Sequence, residues 1–173
     1  LANKDGTIDL YNSFLRQGIT ALKLDKLPEA TQSLINATKM NSIAFEPNYY
    51  LGQTMSKLEQ YDKAIPLFKK ALLAKPEASE IYMQLGLCYY KARKYRDSLP
   101  CFKKALDEDP GNKEALFNMA DAMSNEGHPE KAIKVFMHLR ADPVYGPRSC
   151  LQAGQYHAKI SDSNSAIQDF EIG

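Results

Sequence analysis

The chain has no tryptophan, only three cysteines and only three histidines among its 173 residues, and each scarcity closes off a class of function. Cys88, Cys101 and Cys150 are odd in number and show no CxxC spacing, which speaks against a disulfide framework or a zinc site. Buried thiols in a reducing compartment are the expectation, so the chain is placed in the cytoplasm, with a position peripheral to a membrane or organelle left open. His128, His138 and His157 are scattered, and the HExxH, GxSxG and GxxxxGKS/T patterns are missing. No nucleophile, base and oxyanion donor come together, so the expectation is no enzyme, no metal and no cofactor. Charge of one sign is lacking too: 22 Lys+Arg against 21 Asp+Glu leave a net charge of +1. Nothing drives the chain as a whole towards nucleic acid or an anionic membrane. No apolar run reaches the roughly 18 residues needed to cross a bilayer. The chain starts at Leu1 without a signal-peptide pattern, which reads as a trimmed sequence.

What the chain has is a period of 34 residues. Gly18, Gly52, Gly86, Ala120 and Gly154 are evenly spaced. So are Ala30, Ala64, Ser98, Ala132 and Ala166, and so are Leu34, Phe68, Phe102, Phe136 and Phe170. After a loose lead-in at 1–10, repeats cover 11–44, 45–78, 79–112, 113–146 and an incomplete 147–173. Each holds two helical stretches with a linker of about three residues, as antiparallel neighbours require. First helices are expected near 11–24, 45–58, 79–92, 113–126 and 147–160, and second helices near 28–41, 62–75, 96–109, 130–141 and 164–173. The glycine or alanine at the eighth position and the small residue at the twentieth let the two helices of a repeat approach. The Phe or Leu at the twenty-fourth fills the space between repeats. Pro76 and Pro110 stop second helices. The fourth repeat has Pro143 one place early, so a shorter second helix and a looser joint are expected there. Pro66 and Pro100 read as a shared mild distortion.

In the third repeat, Tyr82, Leu85-Gly86, Tyr89, Ser98, Phe102, Ala105 and Pro110 resemble the tetratricopeptide repeat (TPR) signature. The resemblance covers nearly all of 11–173 and implies an all-α fold, a right-handed superhelical solenoid of antiparallel helix pairs. It also implies that first helices line a concave groove, with positions 2, 5, 9, 12 and 13 of each repeat facing it. Those positions carry an apolar strip, Leu15, Ile19, Tyr49, Met83, Leu87, Tyr90, Phe117 and Leu151, and a lysine row, Lys23, Lys57, Lys91 and Lys159, broken by Asn125. The strip is expected to lie outside helix-pair packing and so to await a partner. A chaperone-tail clamp of the kind some TPR proteins carry is excluded. Its basic and amide positions are here Leu15, Ile19, Glu80 and Gln84.

The function expected is therefore a protein–protein interaction scaffold or adaptor. It takes a protein or peptide partner, as an apolar or amphipathic segment with acidic flanks, in the groove. No nucleic acid and no direct membrane insertion are expected. A self-assembling scaffold forming a homo-oligomer, such as the TPR coats of magnetosome-type organelles, is the alternative. A regulatory TPR domain of a larger enzyme is the third reading.

Overall fold

The computed structural model describes residues 4–159, with side chains from Gly6. Among these, every regular element is an α-helix: α1 (Lys4–Lys23), α2 (Leu27–Met40), α3 (Phe45–Lys57), α4 (Tyr61–Ala74), α5 (Ser79–Lys91), α6 (Tyr95–Glu108), α7 (Lys113–Asn125), α8 (Pro129–Leu139) and α9 (Gly146–Lys159). The second helix expected at 164–173 lies outside the described residues. The lead-in is a correction: α1 begins at Lys4, so residues 4–10 are helical rather than loose. Pro66 and Pro100 sit within continuous helices.

The chain divides into two compact units, Leu1–Cys88 and Tyr89–Gly173. In the first, α1 packs on α2, α2 on α3 and α3 on α4, and α1 also meets α3. In the second, α6 packs on α7, α7 on α8 and α8 on α9, and α7 meets α9. The small residues Ala30, Ala64, Ser98 and Ala132 have no exposed surface, and Leu34, Phe68, Phe102 and Phe136 are buried to 1% exposure or less. The second unit's core gathers Phe117, Ala120, Ala132, Ile133, Phe136, Leu139, Ala153 and Tyr156.

The glycines find a different partner from the one the pattern suggested. A Cβ on Gly18 would lie 2.5 Å from Leu34 Cγ, and one on Gly52 would lie 2.9 Å from Phe68 Cε1. The glycine thus receives the large residue of its own second helix. Leu34 and Phe68 fill the space inside their repeat as well as any space beside it.

Each first helix from α1 to α7 ends in the same turn. Lys26 N donates to Ala21 O and Asp25 N to Leu22 O, and the pair recurs as Gln60 to Met55 with Glu59 to Ser56. It recurs again as Lys94 to Tyr89 with Arg93 to Tyr90, and as His128 to Met123 with Gly127 to Ser124. This is the Schellman arrangement, which satisfies the last carbonyls and needs a left-handed residue just past the helix. Asp25, Glu59 and Arg93 hold φ of 57°, 58° and 58°, and Gly127 holds 97°. Only the fourth repeat places a glycine where the backbone asks for one.

The first and fourth repeats depart from the pattern as their sequences do. The first has no proline after α2. There Asn48 Nδ2 donates to Ser42 O at 3.1 Å and Ala44 O at 2.7 Å, tying down the link to α3. In the fourth, α8 has 11 residues against 14 in α2, α4 and α6, as Pro143 led one to expect. The joint after it is not loose, however. Asp142 Oδ1 accepts from Val144 N at 2.9 Å and Tyr145 N at 2.8 Å, and Gly146 N donates to Asp142 O at 2.8 Å. These hydrogen bonds and Tyr145, whose ring centroid lies 5.9 Å from that of Phe117, hold the six-residue link.

Candidate functional site

The apolar strip divides by burial. Tyr49, Met83 and Phe117 are buried, with 8%, 6% and 5% of their surface exposed. For these three the expectation of side chains surplus to packing is corrected. Leu15, Ile19, Leu87 and Tyr90 are half-buried, and Leu151 is open at 47% exposure.

In the first unit Tyr49 stacks on Phe45 with centroids 5.6 Å apart and meets Phe68 edge-on at 6.3 Å. Its hydroxyl donates to Glu80 Oε1 and accepts from Gln53 Nε2 at 2.8 Å. Burial, then the hydrogen bond to Glu80 and its charge, hold this phenol well above the usual tyrosine range. Lys23 and Lys57 are exposed. Lys57 Nζ is paired with Asp25 Oδ1 at 2.8 Å, so it is tied to the left-handed turn after α1 rather than standing in an open basic row. A polar cleft of about 820 Å³ opens between α1 and α2, lined by side chains such as Asp9, Arg16, Gln17, Thr20, Glu29 and Gln32. It draws on none of the strip residues.

In the second unit the centre is Asp121, which is 9% exposed. Tyr90 donates its hydroxyl to Oδ2 and Tyr156 donates to Oδ1, so both carboxylate oxygens are taken. Asn125 Nδ2 donates to the Asp121 carbonyl at 2.8 Å. Burial comes first, and the hydrogen bond to Asp121 and its charge come next, in raising both phenols far above their ordinary value. Tyr90 also lies edge-on to Tyr95 at 5.5 Å. It belongs to the packing set, contrary to the expectation that it stands apart.

Phe117 meets Phe136 edge-on at 5.2 Å on one side. The Arg148 guanidinium carbon lies 4.5 Å from the Phe117 centroid and 5.7 Å from that of Tyr145. Along α9, Arg148, Leu151, Gln155 and Lys159 follow at helical spacing and all are exposed, while Ser149, Cys150, Ala153, Gly154 and Tyr156 are buried. Lys91 is exposed, and Lys159 Nζ lies 4.9 Å over the Tyr156 ring. Asp121 is at position 9 and Arg148 at position 2 of their repeats, both among the positions that the family resemblance turns towards a groove. For Arg148 the signal was charge: position 2 is Glu46, Glu80 and Glu114 in three repeats and Arg148 in the fifth.

Among the described residues, no three His, Cys, Asp or Glu side chains gather as a metal site would need. Cys88, Cys101 and Cys150 are buried and form no disulfide among the described residues. His138 Nδ1 lies 2.7 Å from Lys134 O, and His157 is half-buried at its packing position. No described helix is long and apolar enough to cross a membrane.

Three family models, each described as tetratricopeptide repeat, match residues 52–95, 79–112 and 101–134. No curated protein matches the chain. Solved structures resemble it over most of its length. YrrB, a TPR protein with an unusual peptide-binding site, is 21% identical, with 92% of this chain and 82% of YrrB aligned at a TM-score of 0.82. A MamA crystal structure is 16% identical over 95% of this chain and 90% of that one, with a TM-score of 0.86. MamA from Desulfovibrio magneticus RS-1 is 20% identical over 94% and 92%, with a TM-score of 0.85. At these identities the likeness is one of fold, the all-α TPR solenoid. The 34-residue period, the helix pairs and the family matches agree: residues 52–134 are tetratricopeptide repeats, set in a chain with the TPR fold.

Proposed function

We propose that the chain is a protein–protein interaction scaffold that takes a peptide or an amphipathic helix on the inner faces of its first helices. The observation that carries this is the open row on α9. One side chain per turn, Arg148, Leu151, Gln155 and Lys159, is exposed on a helix that buries Ser149, Cys150, Ala153, Gly154 and Tyr156. An apolar side chain left open between polar neighbours is what a small recognition surface needs. Leu15 and Ile19 on α1, with Leu87 on α5, are half-open additions in the first unit. Tyr49, Met83 and Phe117 shape the faces from below. YrrB, a TPR protein with a peptide-binding site, offers a precedent in the same fold. Three buried thiols suit a reducing compartment, so we place the chain in the cytoplasm. We assign it no catalytic role.

Selection from a randomised peptide library tests the reading. The parent should enrich peptides with an apolar anchor, and Leu151→Asp should weaken a selected peptide about 10-fold or more. Failure to enrich any peptide, or indifference to Leu151→Asp, would sink it.

Self-association is the second reading. Ile8 and Leu10 on α1 are 56% and 50% exposed, outside the packing of α1 on α2 and α3. Light scattering across a concentration series decides it: a mass fixed at one chain removes it.

A further inference from the structure

We infer that Arg148 is the anchor for a carboxylate of the bound peptide, held on a base of two aromatic rings beside the apolar contact at Leu151. This deepens the scaffold reading and rests on it. The guanidinium carbon lies 4.5 Å from the Phe117 centroid and 5.7 Å from that of Tyr145, and the two rings are themselves 5.9 Å apart. A guanidinium over an aromatic face is attracted by the ring and keeps its N–H donors for a further partner. A planar fork held in this way matches the two oxygens of a carboxylate.

Its partners among the described residues are the two rings and no carboxylate; the ion pairs of Lys26 with Glu29 and of Lys57 with Asp25 lie elsewhere. The first turn of α9 holds no acidic residue, whereas α3, α5 and α7 carry Glu46, Glu80 and Glu114 there. Charge is therefore reversed at one position of one repeat, on the first turn of a helix, where the dipole also favours an anion. Phe117 is buried to 5% exposure under this guanidinium and its other neighbours. The aromatic supports the arginine, and the arginine meets the partner.

The occupant is an acidic side chain of a peptide, with an apolar residue about one helical turn away to reach Leu151. A polyanion such as nucleic acid fits less well. The chain's net charge is +1, and on the α9 row the next cation, Lys159, is three turns on.

The probe is the same randomised library, panned against the parent, Arg148→Glu and Arg148→Lys. The parent should enrich Asp or Glu at a fixed spacing from the apolar anchor. Arg148→Glu should abolish or invert that preference, and Arg148→Lys should keep it weakly, because lysine retains charge without the fork. For one enriched peptide, Arg148→Gln should raise Kd about 10-fold or more, and so should changing the peptide's glutamate to glutamine. Making both changes should add little further, as a directly coupled pair requires. The peptide-side change leaves the protein untouched, so an Arg148 variant that folds poorly does not blunt the test. Enriched peptides without an acidic preference, or a preference that survives Arg148→Glu, overturn this inference while the scaffold reading stands. A library that yields no binder to the parent overturns both.

Discussion

Gly52 lies beneath the ring of Phe68, so close that a Cβ on the glycine would stand 2.9 Å from Cε1, 3.0 Å from Cδ1 and 3.1 Å from Cζ. Phe68 has no exposed surface into which to retreat. Alanine would return about 1 kcal/mol of helix propensity, but overpacking of this kind costs about 1–3 kcal/mol. Gly52→Ala should therefore melt below the parent. Gly18→Ala should fare worse, because its Cβ would meet the Leu34 branch point at 2.5 Å and the Leu34 backbone nitrogen at 3.3 Å. Thermal melts by circular dichroism check both. A rise in Tm for either variant would contradict the close approach.

Glu59 and Arg93 hold left-handed backbones with φ of 58°. A side chain there costs about 1–2 kcal/mol. Glycine relieves that strain but loosens the unfolded chain by about 0.4–1 kcal/mol. Glu59→Gly and Arg93→Gly should each stabilise by about 0.5–1 kcal/mol. Gly127→Ala, in open space but at a φ of 97°, should lose about 1 kcal/mol through backbone strain alone. Urea unfolding measures all three, and the opposite order would mean the turns do not share one geometry.

Both oxygens of Asp121 are occupied by tyrosine hydroxyls, from Tyr90 and Tyr156. Asp121→Ala leaves two donors without their acceptor and should cost about 2 kcal/mol or more. The phenols supply a second readout. A tyrosine whose folded pKa is raised contributes stability that is present below its unfolded value, about 10. That stability is lost as pH climbs towards the folded value. Of the ten tyrosines, Tyr49, Tyr90 and Tyr156 should thus stay protonated when ordinary ones ionise, and should titrate only as the chain unfolds in alkali. In Asp121→Asn, Tyr90 and Tyr156 should ionise earlier, while Tyr49, bonded to Glu80, should not move. Tyrosinate absorbance during an alkaline titration follows this, and equal behaviour in the two proteins would refute it.

Asp142 is held below the ordinary aspartate range by the backbone N–H groups of Tyr145 first and Val144 second. A depressed carboxylate adds stability above its unfolded pKa and loses it as pH falls through the folded one. The window therefore lies below about pH 4. Asp142→Ala should be less stable than the parent at neutral pH, and the gap should narrow as pH falls below about 4. A gap unchanged by acid would mean the six-residue link is held by Tyr145 packing alone.

Helix pairing and the buried ladder from Leu34 to Phe136 were readable in the residues alone. A period of 34 repeats the same packing demand, and only small residues at two positions and a large one at a third meet it. The shortened α8 was readable as well, because Pro143 cannot continue a hydrogen-bonded ladder. Other features depended on the folded chain. The same groove offset buries Tyr49 and Phe117 yet leaves Leu151 open. An offset states which way a residue points, and burial depends on what the neighbouring helices bring to meet it. Asp121 draws its two hydroxyls from residues 31 and 35 positions away in sequence. Arg148 rests on a ring from α7 and another from the α8–α9 link. Neither partnership follows a period, because each joins side chains whose distance is set by helix packing and not by their spacing along the chain.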